Sequence, residues 1–284
     1  MYVLIRKAGR RLFPGKAADR AIAYERGLRR RLGVERVAYV AQERMGRRVL
    51  GGPFTGMSLG HQFEIEAASP VLKLLGIYES ALHKPLEKAL EHDLRVVANV
   101  GCADGYYAVG LALCLPNAVV HAYDLSHTAR VMTHERAVEN GVRNRIVIHK
   151  RCRRFVEQID LVVCDIEGGE DGLLSPGELG RAIVLVETHD HIVPGMTDAL
   201  QRRFASTHDI ETLHDIAPTS VDAIDWMTFE DRSIALDEMR GSADQAWLAM
   251  FPRRGRWRPD RPITGGTMAQ VRGLGRRDGS EFAR

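Results

Sequence analysis

The fold is decided by residues 95–124, which read RVVANVGCADGYYAVGLALCLPNAVVHAYD. After Arg95, residues 96–100 form a short, largely apolar run rich in valine and without charge, which predicts a strand buried on both faces of a sheet. A turn with two glycines follows, and residues 106–115 predict a helix because Gly110 is their single helix breaker. A second apolar run ends at Asp124. This order of strand, glycine turn, helix, strand and acid is typical of the first unit of a nucleotide-binding α/β sheet.

The turn between strand and helix predicts a ligand site. Gly101 and Gly105 would let the backbone approach a ligand where a Cβ atom would collide. The start of the following helix would offer N–H groups to an anion. Asp124 would accept two hydrogen bonds from the hydroxyl groups of a ribose. These features indicate a nucleotide-like cofactor.

The spacing of the glycines distinguishes two cofactors. A dinucleotide site favours G-x-G-x-x-G, but the chain has G-x-x-x-G with Asp104 inside the loop. A carboxylate there would repel a pyrophosphate and tolerate an ammonium group. S-adenosylmethionine carries an ammonium group, a sulfonium and a ribose but no phosphate, so the loop favours this cofactor over NAD. A purely structural glycine turn is the alternative.

Composition indicates a water-soluble globular protein of 284 residues, 45% of them hydrophobic. No apolar run approaches the ~20 residues that a membrane span needs, and the N-terminus lacks the apolar region of a signal peptide. Four cysteines without a C-x-x-C pair indicate neither a disulfide framework nor a zinc cluster. We therefore expect a cytoplasmic protein.

The net charge of +3 is unevenly distributed, because basic residues dominate 1–50 and 253–284. Basic ends can bind RNA, anionic lipid or an acidic partner, but solvated helix faces explain them better. Few aromatic residues interleave with these charges, which disfavours nucleic acid. A homo-oligomer is left open.

The chain divides into three predicted parts. Residues 1–93 predict a mainly helical cap, with an amphipathic helix at 17–32, a small hairpin within 34–57 and helices within 65–93. Residues 94–252 predict the cofactor-binding domain, with helix and strand alternating and a polar insertion at 217–245 that includes one helix-like piece at 221–229. Residues 253–284 predict a basic tail.

Three predicted strands end in carboxylates, namely Asp124, Asp165 and Glu187. In an open α/β sheet the ligand lies beyond the carboxyl ends of the strands, so these acids should converge on one crevice. Glu167, Glu170 and the segment 188–191, which reads THDH, follow two of these strand ends. The predicted mouth is therefore rich in acids and imidazoles.

Three motifs carry a resemblance to a known family. VGCADGYY at 100–107, DIEGGE at 165–170 and VETH at 186–189 resemble the glycine motif, the D-x-E-G-x-E segment and the E-x-H strand end of FkbM-type class I S-adenosylmethionine-dependent methyltransferases. The resemblance covers roughly 93–252. It implies a Rossmann-like sheet of seven strands in the order 3-2-1-4-5-7-6, the seventh antiparallel, and methyl transfer to a small molecule or glycan.

The loop and its neighbours supply the cofactor-binding candidates. Asn99 stands where many relatives have Asp, and Lys150-Arg151-Cys152 replaces the polar residue that often meets the adenine. Both are departures from the family pattern. The candidates are Asn99, Gly101, Cys102, Ala103, Asp104, Gly105, Tyr106, Asp124, Leu125 and Asp165.

Methyl transfer to a hydroxyl group requires a positioned acceptor and removal of its proton. His189 is the first candidate base, because the pKa of histidine lies near working pH, with a solvated loop histidine as the alternative. Asp165 and Glu167 are candidates to orient the acceptor, although Glu167 is as well suited to hold the glycine turn. A divalent metal on Asp165, Glu167, Glu187 and His189 is an alternative that the sequence does not favour.

The leading interpretation is thus an S-adenosylmethionine-dependent methyltransferase, acting at oxygen on a small-molecule or glycan acceptor. A nicotinamide-dependent oxidoreductase on the same sheet is the second. A non-catalytic binding protein that uses its basic ends is the third.

Overall fold

The structure is a computed structural model and describes residues 32–60, 69–155, 158–214, 221–237 and 245–253. These residues fold around one seven-stranded sheet. The predicted helix at 17–32, apart from its last residue, and the basic tail beyond Arg253 lie outside the described residues.

The strands are short and apolar. They are β1 (Val96–Val100), β2 (Val119–Tyr123), β3 (Ile146–His149), β4 (Leu161–Cys164), β5 (Ile183–His189), β6 (His208–Leu213) and β7 (Gln245–Pro252). Backbone pairing places them in the order β3-β2-β1-β4-β5-β7-β6. All neighbours are parallel except β7, which is antiparallel to β5 and β6. The expected strand order and the antiparallel seventh strand are therefore confirmed.

The helices connect and cover the strands. They are α1 (32–45), α2 (Pro70–Leu75), α3 (His83–Leu90), α4 (Tyr106–Cys114), α5 (His127–Glu139), α6 (Glu170–Leu173), α7 (Pro176–Leu179), α8 (Met196–Phe204) and α9 (Phe229–Ala235). Ser126 caps α5 by accepting a hydrogen bond from the amide of Ala129. None of the helices in the described ranges combines the length and apolar character that a bilayer crossing requires.

Two apolar clusters lie on the two faces of the sheet. Every residue of β4 and β5 is buried, as expected for central strands of a parallel sheet. Leu161 and Leu185 belong to one cluster, together with α4, and Val162 and Val184 belong to the other, together with α8. Alternate residues of one strand thus point to opposite faces.

The described N-terminal residues share the first of these clusters. Val37, Phe54 and Leu72 are buried in it beside residues of β1 and α4. Phe54 lies so close to Gly110 that a Cβ atom at Gly110 would stand 2.5 Å from its ring. The helix breaker in α4 is therefore a contact point for the N-terminal region.

The structure corrects two local predictions. The predicted hairpin within 34–57 is wrong, because 32–45 is helical and the second half contributes only an isolated bridge between Arg48 and Ser58. The helix-like piece predicted at 221–229 is a short 3-10 turn at Asp222–Ile224, and α9 begins only at Phe229. The three-part division of the chain stays a prediction.

Candidate active site

The glycine loop joins β1 to α4 and is held from both sides. The amides of Gly101 and Cys102 donate to the carbonyl of Tyr123 at the end of β2, both at 2.9 Å. A Cβ atom at Gly101, where φ is +82°, would lie 1.6 Å from the carbonyl oxygen of Asp165. Glycine is therefore required here by the backbone beyond β4, and not by a ligand as the sequence suggested.

The amides of the loop already have acceptors within the protein. Ala103 donates to the carboxylate of Asp124 at 2.9 Å, Gly105 donates to the carbonyl of Cys102 at 2.7 Å, and Tyr106 donates to the carboxylate of Asp104 at 3.3 Å. Together with Gly101 and Cys102, five loop amides are thus engaged. The expected supply of free N–H groups for an anion is wrong for these five.

Asp104 does not face a ligand. Its carboxylate is buried and lies 3.1 Å from Nζ of Lys73 and 2.8 Å from a guanidinium nitrogen of Arg136. Burial alone would raise the pKa of Asp104, but the charges of Arg136 and Lys73 hold it well below its usual range. The charge argument that placed Asp104 beside a cofactor ammonium group is therefore wrong.

Asp124 and Leu125 lie on the other side of the loop, after β2. Besides Ala103, the carboxylate of Asp124 accepts a hydrogen bond from the amide of Ser126 at 2.8 Å. Each of its oxygens thus retains a lone pair for a ligand hydroxyl group. Leu125 is exposed beside it. This pairing of a carboxylate with an open apolar side chain suits a ribose and its attached base.

Asn99 lies under the loop within β1. Its Nδ2 donates to the carbonyl of Val163 at 3.3 Å, while its buried Oδ1 finds no hydrogen-bond partner among the described residues. Most buried polar atoms have a partner, so an acceptor without one points to a missing donor. The amide at this position is therefore an open acceptor next to the loop.

Two other loop candidates are packed away. Cys102 is buried with its sulfur 3.4 Å from the hydroxyl oxygen of Thr133, and burial raises the pKa of its thiol to about 12. The ring of Tyr106 is buried against Phe54 and Tyr78. Both residues shape the loop from behind.

The predicted adenine side of the site is more open. Lys150 and Arg151 are exposed after β3, and burial raises the pKa of the Cys152 thiol to about 11. The sulfur of Cys152 lies 3.7 Å from the carbonyl oxygen of Arg154. No described contact turns these side chains toward the loop.

A second group of side chains converges at the ends of β4 and β5. His189 is the last residue of β5 and is completely buried, so it is part of the sheet and not a loop residue. Its Nε2 lies 3.4 Å from Asp165, 3.4 Å from Glu167 and 3.7 Å from Glu187. Asp165 and Glu187 thus meet as predicted, whereas Asp124 lies across the glycine loop from them.

Glu170, which the sequence analysis gave no role, organises this group. Its carboxylate oxygens accept hydrogen bonds from the amides of Ile166 and Gly168, both at 2.9 Å. One of these oxygens lies 3.0 Å from Nδ1 of His189. The role of holding the glycine turn, considered for Glu167, therefore belongs to Glu170.

Glu167 instead points outward. Its side chain is 70% exposed, and its backbone has a φ of +53°, in the left-handed region. The position of Glu170 at the start of α6 is the signal that could separate the two acids. An acid that begins a helix and caps the preceding turn is expected to face inward.

The ionisable side chains around His189 shift one another's pKa. Burial raises the pKa of Asp165, and the neighbouring carboxylate of Glu187 raises it further. Burial alone would lower the pKa of His189, but Glu170, Asp165 and Glu187 raise it above its usual value. Burial opposes ionisation of Glu170, but the contact with His189 and hydrogen bonds from the backbone amides of Glu170 itself and Ile166 lower its pKa. The raised pKa values of Asp165 and His189 make this pair a stronger proton acceptor than either side chain would be in isolation.

The N-terminal region contributes to the same site. Tyr78 is partly buried, and its pKa is raised well above the usual value by burial and by the charges of Glu79, Asp165 and Glu187. The hydroxyl of Tyr107 donates to the carboxylate of Glu79. Tyr78 and Glu79 thus connect the N-terminal region with the strand ends.

Comparison with known proteins gives matches among solved structures alone. No family model matches the chain, and no curated protein matches it. The O-methyltransferase TomG from Streptomyces achromogenes, solved with its bound S-adenosylmethionine, aligns at 16% identity and a TM-score of 0.37, over 61% of this chain and 79% of that chain.

Two further matches carry methyltransferase titles. An S-adenosylmethionine-dependent O-methyltransferase from Thermotoga maritima aligns at 15% identity and a TM-score of 0.39, over 59% of this chain and 64% of that chain. A precorrin-6y C5,15-methyltransferase from Geobacter metallireducens aligns at 11% identity and a TM-score of 0.41, over 60% of this chain and 88% of that chain. At this similarity the function of the chain rests on its own site.

Proposed function

We propose that the chain is an S-adenosylmethionine-dependent methyltransferase that transfers a methyl group to an oxygen of a small-molecule or glycan acceptor. The observation that carries the proposal is the loop between β1 and α4. Five of its amides already donate within the protein, while Asp124 and Asn99 keep acceptor atoms open beside it. Such a site suits a cofactor rich in hydrogen-bond donors and poor in anionic groups.

The open acceptors match the chemical groups of this cofactor. The carboxylate of Asp124 would bind the two ribose hydroxyl groups, and Leu125 would contact the adenine. The orphaned Oδ1 of Asn99 would accept from the ammonium group. A pyrophosphate would need donors that the loop has already used, which disfavours the nicotinamide alternative. When bound, the cofactor supplies an electrophilic methyl group on its sulfonium.

The group at the ends of β4 and β5 is assigned to the acceptor. The backbone of Asp165 adjoins Gly101, so the cofactor loop and the acid group meet at this residue. Asp165 and His189 lie 3.4 Å apart and are assigned to accept the proton of the acceptor hydroxyl as a pair. Glu167, exposed at the rim, is assigned to orient the acceptor. Tyr78 would exclude water from the same side.

Calorimetric titration tests the cofactor. We expect binding of S-adenosylmethionine and S-adenosylhomocysteine but not of NAD. Asp124→Ala should weaken binding of S-adenosylhomocysteine by about 2–4 kcal/mol, because two hydrogen bonds to a charged group are lost. Asp198→Ala, which removes an exposed carboxylate on α8, is the matched control and should bind normally. NAD binding, or full affinity in Asp124→Ala, would overturn the proposal.

A further inference from the structure

The group around His189 has a geometry that proton transfer alone does not explain. Donor atoms of Asp165, Glu170 and His189 all lie within 4.8 Å of one another. From this arrangement we propose that these three residues bind a divalent cation that prefers mixed carboxylate and imidazole coordination, such as Mn²⁺ or Fe²⁺. The cation site follows from the side chains themselves and does not depend on the proposed function.

The distances fit ligands of one ion. Metal–ligand bonds of about 2.1 Å place neighbouring ligand atoms about 3 Å apart. The distance from Nδ1 of His189 to Glu170 is 3.0 Å, and the distance from its Nε2 to Asp165 is 3.4 Å. One ion binds only one of the two ring nitrogens, and the third ligand then comes from the donor atoms that lie within 4.8 Å of one another.

The second observation is a buried imidazole without hydrogen bonds. His189 is completely buried, yet neither ring nitrogen makes a hydrogen bond of acceptable geometry to any described residue. Oδ1 of Asp165, which faces Nε2, is likewise buried and without a hydrogen bond. Buried polar atoms in this state call for an unseen partner, such as a water or an ion. One cation between Nε2 of His189 and Oδ1 of Asp165 would satisfy these two atoms, while Nδ1 stays 3.0 Å from Glu170.

The number of carboxylates around His189 favours a cation that carries at least two positive charges. The carboxylates of Glu167 and Glu187 lie 3.4 Å and 3.7 Å from Nε2 of His189. They add to the carboxylates of Asp165 and Glu170. Four carboxylates thus surround a single imidazole, and two of them, those of Glu170 and Glu187, are buried, where negative charge is costly. Oxygen and imidazole donors without a thiolate favour hard or borderline ions.

Glu170 would hold the site in shape. Its two oxygens accept the amides of Ile166 and Gly168, so its carboxylate is fixed before any ion binds. Each oxygen retains a lone pair, because a carboxylate oxygen can accept more than one bond. A fixed first ligand reduces the ordering that metal binding would otherwise cost.

The consequence for catalysis rests on the proposed function. An ion here would lie beside the glycine loop, since the carbonyl of Asp165 adjoins Gly101. It would bind the acceptor hydroxyl and lower its pKa, so that the proton could pass to water or to the exposed carboxylate of Glu167, and the ligands Asp165 and His189 would not need to accept it.

Titration of chelator-treated full-length protein with Mn²⁺ at constant pH, followed by electron paramagnetic resonance, tests the site. We expect one bound Mn²⁺ per chain. His189→Ala and Asp165→Asn should each weaken binding at least about tenfold. Matched controls are His191→Ala, which removes the neighbouring exposed imidazole, and Asp124→Asn, which alters the cofactor side; both should bind Mn²⁺ normally.

A spectroscopic measurement on the unaltered protein covers the case in which a variant does not fold. Electron spin echo modulation of bound Mn²⁺ should show coupling to one imidazole nitrogen. Absence of stoichiometric binding, absence of that coupling, or equal affinity in folded His189→Ala would overturn the site. Titration with S-adenosylhomocysteine on the same samples keeps this result separate from the proposed function.

Discussion

The carbonyl oxygen of Asp165 occupies the place where any side chain on Gly101 would begin. A Cβ atom there would stand 1.6 Å from that oxygen, and the backbone of Gly101 already has a φ of +82°. The glycine loop after β1 and the segment that follows β4 are thus in direct contact.

Gly101→Ala should therefore destabilise the fold and not merely weaken ligand binding. Gly195 has the same φ of +82° with no atom within 4 Å of its missing Cβ, so Gly195→Ala isolates the backbone strain. That control should cost about 1–2 kcal/mol. Gly101→Ala should cost at least about 3 kcal/mol because of the added clash. Urea denaturation measures both, and equal losses would contradict the clash.

The buried ion pairs of Asp104 predict a pH-dependent contribution to stability. Asp104→Asn leaves Lys73 and Arg136 with reduced charge compensation and should cost about 3–5 kcal/mol at pH 7. The pKa of Asp104 is lowered in the folded protein, so its contribution is complete above the pKa of the unfolded chain, about 4.

The sign of this effect defines the measurement. As pH falls below about 4 and passes through the lowered pKa of the folded state, the wild-type protein loses that contribution. The difference in unfolding free energy between wild type and Asp104→Asn should then shrink. Denaturation at pH 7 and pH 3 tests it, and a difference that is constant or grows toward low pH would show that the ion pairs do not act as described. Asp198→Asn, on an exposed helix face, should show no such trend.

Glu170→Ala should loosen the turn between β4 and α6. The amides of Ile166 and Gly168 lose a charged acceptor worth about 1.5–3 kcal/mol, so their hydrogen exchange should accelerate about 10- to 100-fold. Glu167→Ala alters the same turn without touching these amides and serves as the control. Unchanged exchange in Glu170→Ala would mean that the carboxylate does not hold the turn in solution.

His189→Ala should slow methyl transfer by ~10²–10⁴ while affinity for S-adenosylhomocysteine is retained. The acceptor for this assay would come from screening with a radiolabelled methyl donor. His191→Ala, two residues further and exposed, should keep most of the activity. A fully active His189→Ala variant would show that the side chains at the ends of β4 and β5 take no part in methyl transfer.

The sheet could be predicted from the sequence because its signals are local. The run at β4 is entirely apolar, those at β1, β2 and β5 are largely apolar, and glycine, proline or an acid lies close to the ends of each. The N-terminal helix α1 was mistaken for a hairpin although Val34, Val37 and Ala41, which are buried, recur at helical spacing. In this segment the short β-branched runs favoured a hairpin, although the helical periodicity of the apolar residues was also present.

The functions of the individual acids could not be predicted, because their partners are distant in sequence. Asp104 is neutralised by Lys73 and Arg136, which lie more than thirty residues away on either side. Glu167 and Glu170 belong to one motif, yet a left-handed backbone at Glu167 turns one outward while the other is buried. Only the packed structure decides which carboxylate is available.

The antiparallel pairing of β5 with β7 has an evolutionary consequence. Gln245, the first residue of β7, pairs with His189, and Leu213, the last residue of β6, pairs with Trp247. Both ends of the connection 214–244 therefore lie at the edge of the sheet that carries His189. Insertions and deletions in this connection would change the chain next to the side chains at the ends of β4 and β5, while the register of the sheet stays the same. Under the proposed function, this connection is therefore the segment in which a change of length alters the choice of acceptor while the sheet is retained.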